Sequence, residues 1–211
     1  MSTRSKSKRS TARATEPVLE LASAAAWSRW LAAHHAISPG VLLKLPKTKR
    51  TITYAEAVDV ALAWGWIDSQ KRALDATAWL QRFTPRTANS PWSKINRTKA
   101  EALIANGTMQ PPGLAEVERA KRDGRWERAY DGARTSQVPP DLAAALARAP
   151  RARAFFETLD GTNRYAILYR VQTAKLAATR AKRIAQFVEL CAAHKTLYPP
   201  RKQRAPTRAR S

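Results

Sequence analysis

Apolar residues recur at helical spacing twice within the first third of the chain, and one short unbroken apolar run separates the two blocks. Ser23 stands where it can cap a helix running through His35, with Trp27, Trp30 and Leu31 on one face and Pro39-Gly40 ending it. Val41 to Leu45 is a short apolar run and reads as a strand, followed by a basic loop from Pro46 to Arg50. Thr53 and Glu56 then form a capping box, in which the Thr oxygen takes the N3 amide and the Glu reaches back to the cap. In the helix that follows, Tyr54, Val58, Ala61 and Leu62 form the apolar stripe, Glu56 and Asp59 point outward, and Gly65 suits a left-handed exit.

Past Gly65 the period changes from 3.6 to two. Trp66 to Leu74 and Trp79 to Arg86 read as two strands of a hairpin around Asp75-Ala76-Thr77. With strict alternation and near-symmetric pairing, Trp66, Asp68 and Gln70 share a face with Arg82, Thr84 and Arg86. Ser90 and Pro91 predict the start of a helix that stops at Asn106-Gly107. Another helix is expected over 111–123, a polar connection over 124–139, and two short helices opened by Pro139-Pro140 and by Pro150. A single long helix is predicted from Thr162 to His194, its core stripe running Ile167, Val171, Ala174, Ala178, Ala181, Ala185 and Val188. The fold class is therefore α+β, mostly helical, with a small antiparallel β-sheet and a C-terminal helical region. Residues 17–125 form the α+β core and 126–198 the helical region. Residues 1–16 and 199–211 read as disordered basic tails.

Charge changes the picture most. The chain has 211 residues, 44% hydrophobic, and a formal charge of +22. Residues 1–16 hold +4 and residues 198–211 hold +5, leaving +13 between them. Such a surface attracts nucleic acid, anionic headgroups or acidic proteins without specifying which. The single Cys191 excludes an internal disulfide and suits a reducing compartment. The N-terminus lacks an apolar core for a signal peptide, and no apolar run is long enough to cross a bilayer, so a cytoplasmic location is expected.

Four of the seven Trp fall between Thr53 and Asn96, beside a carboxylate and two Arg. Asp68, following Trp66-Ile67, needs a partner if it turns inward, and Arg82 and Arg86 are the nearest candidates. An Asp68–guanidinium pair beside Trp66 and Trp92, with Ser93 and Asn96 as further polar groups, makes a candidate ligand pocket. The same residues also suit a structural ion pair with the Trp as core. His34 and His35 diverge on a helix and His194 lies far off, so no metal site is expected. Cys191 lies on an apolar stripe with Phe187 and Val188, as a core residue. No nucleophile motif or phosphate loop is visible, so no catalytic residue and no cofactor are assigned. On one continuous last helix, Arg164, Lys175 and Lys182 fall within about 20° of each other and could track phosphates.

The blocks TYAEAVDVALAWGWIDS (53–69), RFTPR (82–86), WSKIN (92–96), LIANG (103–107) and AFFETLDGTNRYAILYRVQTAKLAATRAKRI (154–184) resemble the YdeI/OmpD-associated family of bacteriocin-protection proteins over roughly residues 20–195. Near residue 41 the usual strand looks shortened, and both ends carry basic extensions. The resemblance implies a link to stress and antimicrobial-peptide resistance, without enzymatic chemistry to carry over, acting through a small ligand or a protein partner. A chain of this charge repels cationic peptides, which disfavours direct sequestration and favours a partner-mediated route. The alternative is a sequence-nonspecific nucleic-acid-binding protein using its tails and last helix.

Overall fold

A computed structural model describes residues 16–48 and 51–199. The tails over 1–15 and 200–211, expected from sequence to be disordered, lie outside the described residues. Among the described residues the elements run β1 (Val18–Leu19), α1 (Ala24–His34), β2 (Val41–Pro46), α2 (Tyr54–Ala63), β3 (Trp66–Ala73), β4 (Ala78–Pro85), α3 (Lys94–Ala105), α4 (Pro111–Arg122), α5 (Pro140–Ala147), α6 (Pro150–Thr158), α7 (Gly161–Gln172) and α8 (Ala177–Ala192). They make two compact units. The first takes in the chain up to Ser90 together with Lys99–Arg119, and the second Pro91–Thr98 and the chain from Ala120.

The first unit is built on a sheet of order β1-β2-β4-β3. The helical class is as the pattern predicts, but the sheet is mixed rather than antiparallel. Val18 and Leu19 add a two-residue parallel strand to β2, too short to leave a period in the sequence. β2 itself runs a full six residues and pairs antiparallel with β4. Local signals placed the surrounding elements well. Ser23 Oγ accepts from the Ala26 amide at 3.2 Å. Thr53 Oγ1 accepts from the Glu56 amide at 3.3 Å, while the Thr53 amide donates to Glu56 Oε2 at 2.8 Å, closing the capping box. Gly65 sits at φ 74°, where a side chain would strain the backbone. On α4, a Cβ at Gly113 would lie 2.2 Å from the Ala63 carbonyl oxygen, so glycine lets α4 start against the end of α2. At the hairpin, Asp75 Oδ1 accepts from the amides of Thr77 and Ala78 at 2.6 and 2.8 Å. The Thr77 hydroxyl first, and then these amides, hold its carboxyl below the usual range.

The core between α1, α2 and the sheet is aromatic. Trp27 is fully buried, its ring edge-on to Trp66 at 6.2 Å and 5.6 Å from Phe83. Leu31, Val41, Leu43, Leu45 and Ile52 close around them.

The second unit is helical. Leu142 and Leu146 of α5, Phe156 of α6, Ile167, Leu168 and Val171 of α7, and Ile184, Phe187 and Cys191 of α8 form one cluster. Burial pushes the Cys191 thiol pKa up, as expected of a small core residue. Two predicted starts and spans are corrected here. α3 begins at Lys94, not at Pro91. Tyr130 donates its amide to the Trp92 carbonyl at 2.9 Å and accepts from the Lys94 amide at 2.8 Å, so Ser93 pairs with Tyr130 in a strand-like bridge just before the helix. Ser93, rather than Ser90, supplies the cap, accepting from the Asn96 amide at 3.1 Å. Ser90 instead accepts from the Thr87 amide at 2.9 Å.

The long last helix is also broken, into α7 and α8 around Thr173 to Leu176. The predicted Ala stripe is too small to fill the core. Ala178, Ala181 and Ala185 are exposed, and Ile184, Phe187 and Cys191 turn inward instead. Cations of α8 close the break. Arg180 donates to the Val171 carbonyl at 2.8 Å, and Arg183 donates to that of Arg170. These carbonyls lie in the last turn of α7, beyond the reach of regular i+4 donors; that of Val171 also accepts from the Ala174 amide at 3.3 Å. Arg164, Lys175 and Lys182 therefore do not share a helical face. Arg164 stacks its guanidinium 4.6 Å from the Phe156 ring centroid.

Candidate functional site

The residues picked out from sequence fall into separate roles. In the first unit, Trp66 is 2% exposed, and its indole donates to the His35 carbonyl at 3.3 Å, which makes it a core residue. Asp68 stands directly opposite Phe83, with Ile67 opposite Thr84. Directly paired residues share a face, so Arg82 and Thr84 lie on the other face from Asp68. The expected Asp68–Arg82 pair is thus corrected. Asp68 accepts from the Tyr54 hydroxyl at 2.6 Å, and Arg82 is bound through Nε to both oxygens of Glu16 at 2.8 Å. That carboxylate raises the Arg82 pKa further. Strict alternation also fails because the register shifts between Asp68 and Lys71. The buried Gln81 amide reaches into this bulge, donating to the carbonyls of Ser69 and Gln70 at 3.3 and 3.4 Å. Arg86 is buried, its backbone amide donating to the Gly65 carbonyl at 2.9 Å.

Trp92, Ser93 and Asn96 belong to the second unit. Trp92 is 1% exposed and meets Trp126 edge-on at 4.8 Å, while Ser93 and Asn96 make the α3 cap. Trp66, Asp68, Arg82, Trp92, Ser93 and Asn96 thus divide between the two units, and the structure does not bring them together as one pocket.

A different group of side chains in the second unit forms an open groove of about 680 Å³. Its floor is one face of α7, where Thr162, Tyr165, Ala166, Tyr169 and Arg170 recur at offsets of three and four. Ala133 and Arg134 of the connecting segment and Tyr198 beyond α8 complete the lining. Two amide side chains of α7 fix these walls. Gln172 accepts from the Asp131 amide at 3.2 Å and donates to Ser136 Oγ at 3.0 Å. Asn163, 2% exposed, donates to the Tyr198 carbonyl at 3.2 Å and accepts from the Tyr198 amide at 2.9 Å. The Asn163 side-chain amide mimics a backbone partner and also donates to the Asp160 carboxylate at 3.3 and 3.4 Å, while Asp160 caps α7 by accepting from the Asn163 backbone N–H at 2.7 Å.

Within the groove, Tyr165 donates to the Asp131 carbonyl at 3.1 Å. Desolvation, then the neighbouring Tyr169 and Asp131, raise its pKa. Arg170 donates to the Tyr198 hydroxyl at 3.1 Å and lies 5.7 Å from that ring's centroid. The charged groups lining the groove are Arg134 and Arg170, and no carboxylate lines it. Such a site suits an anionic ligand with a flat or apolar body. The sequence signal was the NRYAILYR stretch, with Tyr at i and i+4 beside Arg, but the two walls come from segments no periodicity could place. Among the described residues, no group of three or more His, Cys, Asp or Glu is placed to hold a metal ion.

Fold and groove together define a two-unit α+β protein whose C-terminal unit carries a preformed tyrosine-lined groove. Residues 135–194 match the family described as bacteriocin-protection, YdeI or OmpD-associated. The chain therefore carries, in its C-terminal region, a domain of that family, and this span contains the α7 floor of the groove. Residues 19–116 match a different family, described as a domain of unknown function (DUF8412). The motif blocks between Thr53 and Gly107 fall inside this second match, so the YdeI/OmpD likeness is carried by the 154–184 block. No curated protein and no solved structure was found to match the chain.

Proposed function

We propose that the chain is a non-enzymatic bacteriocin-protection protein that works from the cytoplasm by binding a small ligand or protein partner in the tyrosine groove. The observation that carries this reading is the position of the groove floor inside the domain of the bacteriocin-protection family. Its chemistry supports binding rather than catalysis. The Tyr165 hydroxyl is engaged, and its pKa is moved away from neutrality, while Arg170 is occupied in holding Tyr198. No helix among the described residues is long and apolar enough to cross a membrane. At +22 the chain repels cationic peptides, so protection runs through the partner. The test is survival of a host lacking the chain under a cationic bacteriocin. Sensitivity rises on deletion and is restored by the full chain, but not by one with Tyr165→Ser and Arg134→Glu. Equal survival of the deleted and parent hosts ends this reading.

A second reading, nonspecific nucleic-acid binding, draws on the ten Lys/Arg of residues 1–16 and 198–211. With Arg180 and Arg183 committed to α7, it rests on the tails. Gel shifts at rising salt test it: the full chain binds weakly at low salt, and a 17–198 fragment loses most of that binding.

A further inference from the structure

Resting on the reading of the groove as a partner-binding site, we propose that its occupant is an extended segment of a partner protein in which a carboxylate side chain stands next to an aromatic or large apolar one. Three features of the groove select this chemistry. The lining combines three Tyr with two Arg and contains no Lys, Asp or Glu. That composition matches the residues which dominate protein–protein hot spots, where rigid aromatic rings and planar guanidinium groups gain the most from desolvation. Charge then narrows the class. With Arg134 and Arg170 in the lining, no acid among the lining residues, and the neighbouring Asp131 carboxylate paired with Lys94 at 2.7 Å, an apolar segment gains affinity by carrying a carboxylate, and a cationic one is repelled. Shape supplies the third feature. The open trough lies along a helix face with both walls pinned by Gln172 and Asn163, so a segment can lie in it without reordering the protein. Ala166 and Ala133 leave room for side chains between the tyrosine rings.

The experiment uses the full chain and a fluorescein-labelled hexapeptide of alternating Asp and Phe, followed by anisotropy at physiological salt. Two comparison peptides replace Phe by Ser or Asp by Lys. The Asp/Phe peptide binds saturably, and each comparison peptide binds at least tenfold more weakly. Arg134→Glu and Tyr165→Ser each weaken binding about tenfold or more, above the loss at most interface positions. Arg29→Glu, the same charge change on an exposed helix position of the first unit, leaves binding unchanged. Unaltered circular dichroism shows that the variants remain folded. Equal binding of the Asp/Ser peptide overturns the proposal in favour of bulk charge, as does an equal loss in Arg29→Glu. Displacement of the peptide by free indole-3-acetate at matching concentration overturns it in favour of a small-molecule site. If no peptide binds while the chain still protects a host in a Tyr165-dependent way, the segment chemistry falls and the protective reading stands.

Discussion

The chain uses its aromatic residues in two opposed ways. In the first unit Trp27, Trp30, Trp66 and Phe83 close on one another within about 6 Å, and Trp27, Trp66 and Phe83 are almost wholly removed from solvent. In the second, Tyr165, Tyr169 and Tyr198 line an open groove beside two arginines. Indoles have a large apolar body and one donor, which a single backbone carbonyl satisfies: Trp27 donates to Ala57 at 3.1 Å. Phenols next to guanidinium groups keep a wet, polar edge available to a partner. Dense tryptophan in this sequence marked a core, and the sparser tyrosines line an open groove.

Removing one residue from each group tests that contrast at its largest. Trp27→Ala leaves a cavity in a closed core and removes the indole's hydrogen bond to the Ala57 carbonyl, so the first unit loses about 3–5 kcal/mol. Tyr198→Ala, at a position 43% exposed, costs about 1 kcal/mol or less, while weakening occupancy of the groove. Urea unfolding followed by circular dichroism reads both. A Trp27→Ala loss no larger than that of Tyr198→Ala would erase the distinction.

The groove wall gives a smaller effect. Asn163→Ala removes both hydrogen bonds to the Tyr198 backbone and the side-chain contacts to Asp160, leaving the backbone cap in place, a loss of about 1–3 kcal/mol for a buried amide with several partners. It also frees the Tyr198 amide to exchange with solvent. Retained protection of that amide in hydrogen exchange would show that something other than Asn163 holds the wall.

What was legible in the sequence follows from range. The Ser23 cap, the Thr53/Glu56 capping box, Gly65 and the Asp75 turn each act within four residues, and the sequence placed them correctly. Failures came where a distant segment decided the outcome. Tyr130 holds Ser93 in a bridge and delays α3 to Lys94. Arg180 and Arg183 take up the last carbonyls of α7 and stabilise a break that the regular Ala spacing concealed. The candidate site failed for the same reason. Glu16 lies 66 positions from the Arg82 it binds, and no local rule chooses it over Asp68.

That partner choice is open to a double-mutant cycle. Asp68→Ala and Arg82→Ala are expected to be additive within about 0.5 kcal/mol, because each side chain has its own partner. Glu16→Ala with Arg82→Ala gives the larger coupling. The opposite ranking would restore the Asp68–Arg82 pair and the pocket built on it.

The smallest effect expected is a pH dependence at the edge of the helical unit. Arg180 binds Asp141 through Nε and a terminal nitrogen at 2.6 and 2.8 Å, and this hydrogen bonding, ahead of the Leu142 amide, lowers the Asp141 pKa. A carboxyl whose pKa is depressed on folding contributes stability above its unfolded value, about 3.9, and loses it as pH falls through the lower folded value. The loss therefore appears below about pH 4. Solvent screens the pair, whose side chains are 29% and 46% exposed, so its contribution is about 0.2–1 kcal/mol. Melting curves at pH 7 and pH 3 for the parent and Asp141→Asn isolate it, since the amide keeps an oxygen for the Leu142 N–H but cannot titrate. The parent loses slightly more stability across that interval than the variant. Identical losses would mean that Arg180 serves the α7 carboxyl end alone, and that the break between α7 and α8 stands without the ion pair.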